Sequence, residues 1–255
     1  MQALPPELII SAYANGLFPM ARDRHDPGIH WLDPIRRGIL PLDGFHVSRS
    51  LRKLLRRAPF EIRVDTSFPE VITACAEPTP DRPRTWLNDE LIEAYIAMAA
   101  RGFAHSVECW REGRLVGGLY GVVLGAAFFG ESMFSRVRDA SKVALVELVC
   151  RLRAGRFELL DTQFVTDHLK RFGAIEISRQ EYRIRPRRAI VRHATFPRDS
   201  YSFAFAAFGS SSRSGGRGAG AVPDAGASGP LSDAAPSDGR SSAGSGSSQS
   251  STQTS

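Results

Sequence analysis

The chain lacks the signatures of several chemistries. Its 255 residues include three cysteines, Cys75, Cys109 and Cys150. That odd number, with no CxxC pair, indicates neither a disulfide framework nor a zinc ribbon. The histidines, His25, His30, His46, His105, His168 and His193, show no ligand spacing and no HExxH motif occurs, so neither a metal nor another cofactor is expected. A P-loop and a GxSxG nucleophile elbow are also missing. No apolar run approaches the length of a membrane span. The opening MQALPPELIISAYANGLFPM has no basic region and is broken by Pro5, Pro6, Asn15 and Gly16, so it does not read as a signal peptide. A soluble cytoplasmic protein with reduced thiols and no membrane partner is the expectation.

Large side chains are missing from the last part of the sequence. After Phe208 the chain turns to Gly, Ser and Ala, with Val222 and Leu231 as the larger aliphatics. Such a segment buries too little apolar area to offset its ordering entropy, so residues 209–255 are expected to be a disordered tail. Its Arg213, Arg217 and Arg240 are cancelled by Asp224, Asp233 and Asp238, which leaves the net charge of +6 on the remainder. That excess favours a polyanionic partner such as RNA, DNA or anionic lipid, against the plainer reading of a basic surface.

What is present reads as α+β. Residues 1–38 predict a small N-terminal lobe with a short helix from Pro6 to Asn15, and residues 39–208 a larger domain. Ser48 caps a helix closed by Pro59, and Asn88 caps a second that runs to Ala100. A meander follows: His105–Arg111, an Glu112-Gly113 turn, Arg114–Leu124, a turn at Gly125, and Ala126–Gly130. Asp139 starts a helix that Gly155 ends. Then come a buried strand, Phe157–Gln163, a short helix near Asp167–Phe172, and a strand around Ala174–Ile177. Together these predict a mixed, acyltransferase-like sheet with helices on its faces.

Asp161 and Gln163 lie two apart in a strand, so their side chains share a face. They read either as a carboxylate and amide that handle an attacking amine, or as a strand-end cap satisfying backbone groups. Glu131, after Gly130 at a predicted strand end, could bind a cationic group or pair with Arg136 or Arg138. Leu119, Phe128, Leu148, Leu152 and Leu160 read as core, and become a side-chain pocket only if the sheet splays beside Glu131 and Asp161. Arg49, Arg52, Lys53, Arg56 and Arg57 form a basic helix face able to neutralise phosphates. Trp31 and Trp86 sit in loop-like surroundings where an indole can stack on a base.

The strings AYANGLFPM, DPIRRGILPLDGFHVSRSLRK, TWLN, GFAHSVECW, GGLYG, FFGESMFSRVRDASKVAL and LLDTQFVTDHLKRFGAIEI occur in that order from about Ala12 to Tyr182. Together they resemble the bacterial leucyl/phenylalanyl-tRNA protein transferases. The resemblance implies an enzyme that moves Leu or Phe, and less readily Met, from aminoacyl-tRNA to proteins with N-terminal Arg or Lys, marking them for degradation; nothing in the sequence suggests more than a monomer. It implies a larger domain similar to the GNAT acyltransferases. The QxxGxG loop of acetyl-CoA users is absent, with SRVRDASK in its place, which suits an acyl-tRNA donor.

Carried across by position, the resemblance puts Trp86 on the terminal adenine. It puts Leu119, Phe128, Leu148, Leu152 and Leu160 around the Leu or Phe side chain, and Glu131, Asp161 and Gln163 in the catalytic cluster. Two departures stand out: Met20 fills FPM where relatives often have FPW, and Leu119 and Leu148 replace Met or Phe of some relatives. In the mechanism so implied, Asp161 held by Gln163 deprotonates the acceptor amine while Glu131 holds its cationic side chain, and the two carboxylates could exchange roles. A coenzyme A acetyltransferase, a cell-wall aminoacyl transferase and a non-catalytic RNA-binding protein are the rival readings.

Overall fold

A computed structural model describes residues 4–79 and 83–199, with 202, 204 and 207; the expected tail, 209–255, lies outside the described residues. In chain order the elements are α1 (Pro6–Ala14), β1 (Phe18–Met20), β2 (His30–Leu32), β3 (Arg36–Ile39), α2 (Arg49–Leu55), β4 (Glu61–Val64), α3 (Phe68–Ala76) and α4 (Asp89–Ala100). They continue with β5 (Ala104–Arg111), β6 (Arg114–Leu124), β7 (Ala127–Ser135), α5 (Ala140–Ala154), β8 (Leu159–Gln163), α6 (Asp167–Lys170), β9 (Ile175–Ser178) and α7 (Arg179–Ile190).

The local causes are visible at the turns and caps. Glu112 and Gly113, with φ of 53° and 70°, have the left-handed pair that a two-residue hairpin needs to match strand twist. Ser48 accepts from the Leu51 N–H at 3.3 Å and Asn88 from the Leu91 N–H at 2.9 Å, satisfying helix-start donors. Asp139 departs from expectation. It stands before α5 with φ 66° and makes no capping bond, because its carboxylate is drawn to Lys142 instead.

Seven strands form one mixed sheet in the order β4-β5-β6-β7-β8-β3-β9. Its pairs are antiparallel except β7 with β8, which α5 connects in parallel. β1 and β2 make a separate two-stranded ribbon. The strand β3 spans residue 38, where the sequence suggested the N-terminal lobe would end, and enters the large sheet between β8 and β9.

Strand alternation divides the apolar residues into two cores. Tyr120, Phe129 and Leu159 join Ile9, Tyr13, Val71, Leu91 and Tyr95 of α1, α3 and α4 on one face. Their sequence neighbours Leu119, Phe128 and Leu160 join Leu148, Val149 and Leu152 of α5 on the other. No helix among the described residues is long and apolar enough to cross a membrane.

Candidate active site

β7 and β8 pair only from Ala127 with Leu159 to Phe129 with Asp161. Both strands run on without pairing to each other, and the sheet splays. At the same level β6 and β7 change register: Tyr120 opposes Ser132 while Gly121 opposes Gly130. Glu131 is therefore the unpaired residue of a β-bulge within β7, not the end of a strand as the sequence suggested. A bulge re-aims its side chain. Gly121 permits it, since a Cβ there would fall 2.3 Å from the Phe128 ring and the Phe129 carbonyl oxygen.

A cavity of about 330 Å³ opens in the splay, a size suited to a small apolar group. Leu119, Leu148 and Leu160 line it, joined by Met133, Leu145 and Leu169, which sequence reading did not select. Phe128 and Leu152 are fully buried in the core behind it. Trp86 and Met20 both border the cavity, tied together by the Ala21 N–H donating to the Trp86 carbonyl at 3.0 Å. Trp31 lies opposite Pro19 in the β1–β2 ribbon.

Glu131 and Gln163 form the polar rim. Tyr13 Oη donates to Glu131 Oε1 at 2.5 Å, Tyr95 Oη to Oε2 at 3.1 Å, and Gln163 Nε2 approaches Oε1 at 3.4 Å. Arg136 binds Glu77 and Arg138 lies against Asp139, so neither expected arginine partner reaches Glu131. Burial and the nearby Asp161 charge push the Glu131 carboxyl up to about 7 against the pull of the two tyrosines and Arg37. The tyrosine hydroxyls are held well above their ordinary value by burial and by Glu131, so they remain donors.

Asp161 lies behind this rim and is not among the cavity-lining residues. Arg37 donates to it twice, Nε to Oδ1 at 3.0 Å and Nη2 to Oδ2 at 2.6 Å. Tyr182 Oη donates to Oδ2 at 2.8 Å and the Gln163 N–H to Oδ1 at 2.9 Å. Arg37, Tyr182, Tyr13 and Tyr95 escaped sequence reading as polar groups; the clearest available signal was Arg37 itself, beside a Gly and an apolar run in RRGIL.

Arg49, Arg52, Lys53, Arg56 and Arg57 are all exposed, and α2 ends at Leu55 with Arg56 as its C-cap. Lys53 and Arg57 face a second cleft with Arg138, Lys142 and Arg171, and His168 lines both that cleft and the apolar cavity.

Residues 39–186 match the family described as leucyl/phenylalanyl-tRNA protein transferase, and residues 2–35 match its N-terminal domain. The chain belongs to this transferase family. A relative carrying that name from Paramagnetospirillum magneticum is 57% identical over 200 residues, covering 78% of this chain and 96% of the relative. Another from Rhodospirillum rubrum is 56% identical over 185 residues, 72% of this chain and 87% of the relative. The splayed strands β6, β7 and β8 and the Glu131–Gln163 rim fall inside the first matched span, while Tyr13 and the cavity-lining Phe18 and Met20 come from the matched N-terminal domain.

Proposed function

We propose that this chain is an aminoacyltransferase that moves Leu or Phe, and less readily Met, from tRNA to the α-amino group of an N-terminal Arg or Lys, marking that protein for degradation. The observation that carries the reading is a titratable carboxyl, Glu131, lining an apolar cavity that half-buried Trp86 also borders. The apolar wall from Leu119, Leu148 and Leu160 suits an aliphatic or aromatic donor side chain. Trp86 and Met20 supply the surface for the terminal adenine.

The ester of an aminoacyl-tRNA is already activated, so the protein's task is positioning and proton transfer. The acceptor amine attacks the ester carbonyl carbon, a C–N bond forms and the bond from that carbon to the ribose oxygen breaks. The amine proton passes to ionised Glu131 and then to the departing ribose oxygen. With its Nε2 toward Glu131, Gln163 keeps Oε1 to accept from the amine. Of the two carboxylates, Glu131 takes the proton because it faces the cavity, while Asp161 already accepts from Arg37, Tyr182 and Gln163.

Donor competition tests the pocket: Leu-tRNA and Phe-tRNA are expected to react fastest and Met-tRNA more slowly, with Asp-tRNA excluded. Equal use of Asp-tRNA would contradict an apolar donor site.

The five basic residues at α2 are the proposed seat for tRNA phosphates, extended by the cleft. Lys53→Glu with Arg57→Glu is expected to weaken binding of all tRNAs alike and to lower the salt slope by about 1.5–2. An unchanged slope in a filter-binding titration would remove this cleft from the RNA path.

A further inference from the structure

Arg37 is fully buried. Its guanidinium lies between the rings of Phe18 and Tyr182, 4.4 Å from each centroid. The third arm of its fork, Nη1, donates to the Gly16 carbonyl at 3.1 Å. One side chain thus joins the N-terminal lobe to β3, β8 and α7. Burial alone would disfavour the arginine charge, but the adjacent Asp161 carboxylate more than restores it. Tyr182 is likewise held protonated by burial and by Asp161.

The far end of this cluster is Gln163. Its φ of 53° is left-handed, a conformation that costs a non-glycine residue about 1–3 kcal/mol unless its surroundings enforce it. The enforcing contacts are the Asp161 Oδ1 acceptor on the Gln163 N–H and the pairing of Gln163 with Gly38. Gly38 follows Arg37 directly, and a Cβ on it would fall 2.7 Å from the Phe164 carbonyl carbon. The left-handed turn is what sends the Gln163 amide to Glu131.

We propose that Arg37 and Tyr182 are positioning residues for the transfer reaction: they fix the Asp161 carboxylate as an anchor whose hydrogen bond to the Gln163 N–H aims the Gln163 amide at Glu131. The inference rests on the transferase reading above. It gives Asp161 a supporting task and leaves proton transfer to Glu131, whose charged and titratable neighbours are Tyr13 from α1, Tyr95 from α4, Asp161 from β8 and Arg37 from β3. Arginine is required for its fork, since lysine can match the charge but cannot hold both carboxylate oxygens and Gly16 together.

Steady-state transfer of Leu from Leu-tRNA to an Arg-initiated peptide tests this in the full chain. Tyr182→Phe keeps the ring over Arg37 and removes one hydrogen bond. It is expected to lower kcat about 3- to 10-fold with KM for Leu-tRNA within about twofold, because Trp86, Leu119, Leu148 and Leu160 lie outside the cluster. Arg37→Lys is expected to lower kcat further with the same KM. Asp161→Asn retains an oxygen that can accept the Gln163 N–H and is expected to keep at least about tenfold more rate than Asp161→Ala. All rates are referred to folded protein by circular dichroism. Unchanged kcat in both Tyr182→Phe and Arg37→Lys would overturn the proposal. So would equal loss in Asp161→Asn and Asp161→Ala, which is the signature of a proton acceptor. Wild-type activity with unaffected variants refutes the positioning role alone, whereas an inactive wild type refutes the transferase reading and the inference with it.

Discussion

Glu131→Gln is expected to lower the transfer rate by about 100- to 10,000-fold, the usual contribution of a general base, while making the protein more stable at pH 8. The stability effect follows from linkage. A glutamate that titrates at 4.5 when unfolded and at about 7 when folded keeps its proton in the native state over a window in which the unfolded chain has released it. Stability from this group is fully present below about 4.5 and is lost as pH rises to about 7. Glutamine cannot ionise, so the variant escapes the loss, worth on the order of 1–3 kcal/mol above pH 7 after allowance for solvent at the cavity mouth. Thermal melts at pH 5 and pH 8 check the sign: the variant's advantage should be larger at the higher pH. The wild-type kcat should rise with pH through about 7. An Glu131→Gln enzyme with near-normal kcat would return the base to Asp161.

Trp86→Ala carries the second large expectation. An indole that stacks on a terminal adenine contributes about 1–3 kcal/mol, so the KM for Leu-tRNA should rise about 5- to 150-fold with kcat little changed. Met20 also borders the cavity, and its thioether makes weaker ring contacts than a second aromatic at that position would. Met20→Trp is expected to lower the KM and Trp86→Phe to recover most of the loss. If Trp86→Ala left the KM at its wild-type value, the adenine would have to bind elsewhere.

The meander, α5 and the parallel return of β8 were legible because each has strong local causes: a two-residue left-handed turn, a glycine, Gly155, that ends α5, and strand alternation that separates Leu119, Phe128 and Leu160 from Tyr120, Phe129 and Leu159. The strands β1, β2, β3 and β4 were not legible. Each is three or four residues long, too short for a period to emerge, and is held by pairing with distant segments. The helices α3 and α7 were also missed, although Ser178 and Glu181 form a capping box at the start of α7.

The site was half legible for the same reason. By chemistry and spacing Leu119, Leu148 and Leu160 read as core, and the family resemblance alone marked them as pocket residues. The bulge that turns Glu131 inward depends on how β6 registers against β7, and sequence spacing had placed Glu131 on a strand end. Asp161 and Gln163 do meet as alternation suggested, but through a carboxylate-to-backbone bond that leaves Asp161 occupied by Arg37 from a strand 124 positions away. Tyr13 and Tyr95 looked apolar because their rings are in the core, and only their hydroxyls reach Glu131.

The central claim is tested most directly by incubating the purified chain with radiolabelled Leu-tRNA and matched acceptor proteins that begin with Arg or with Asp. Label in the Arg-initiated protein alone is the result the account predicts. Transfer to the Asp-initiated protein, or to neither, would contradict it.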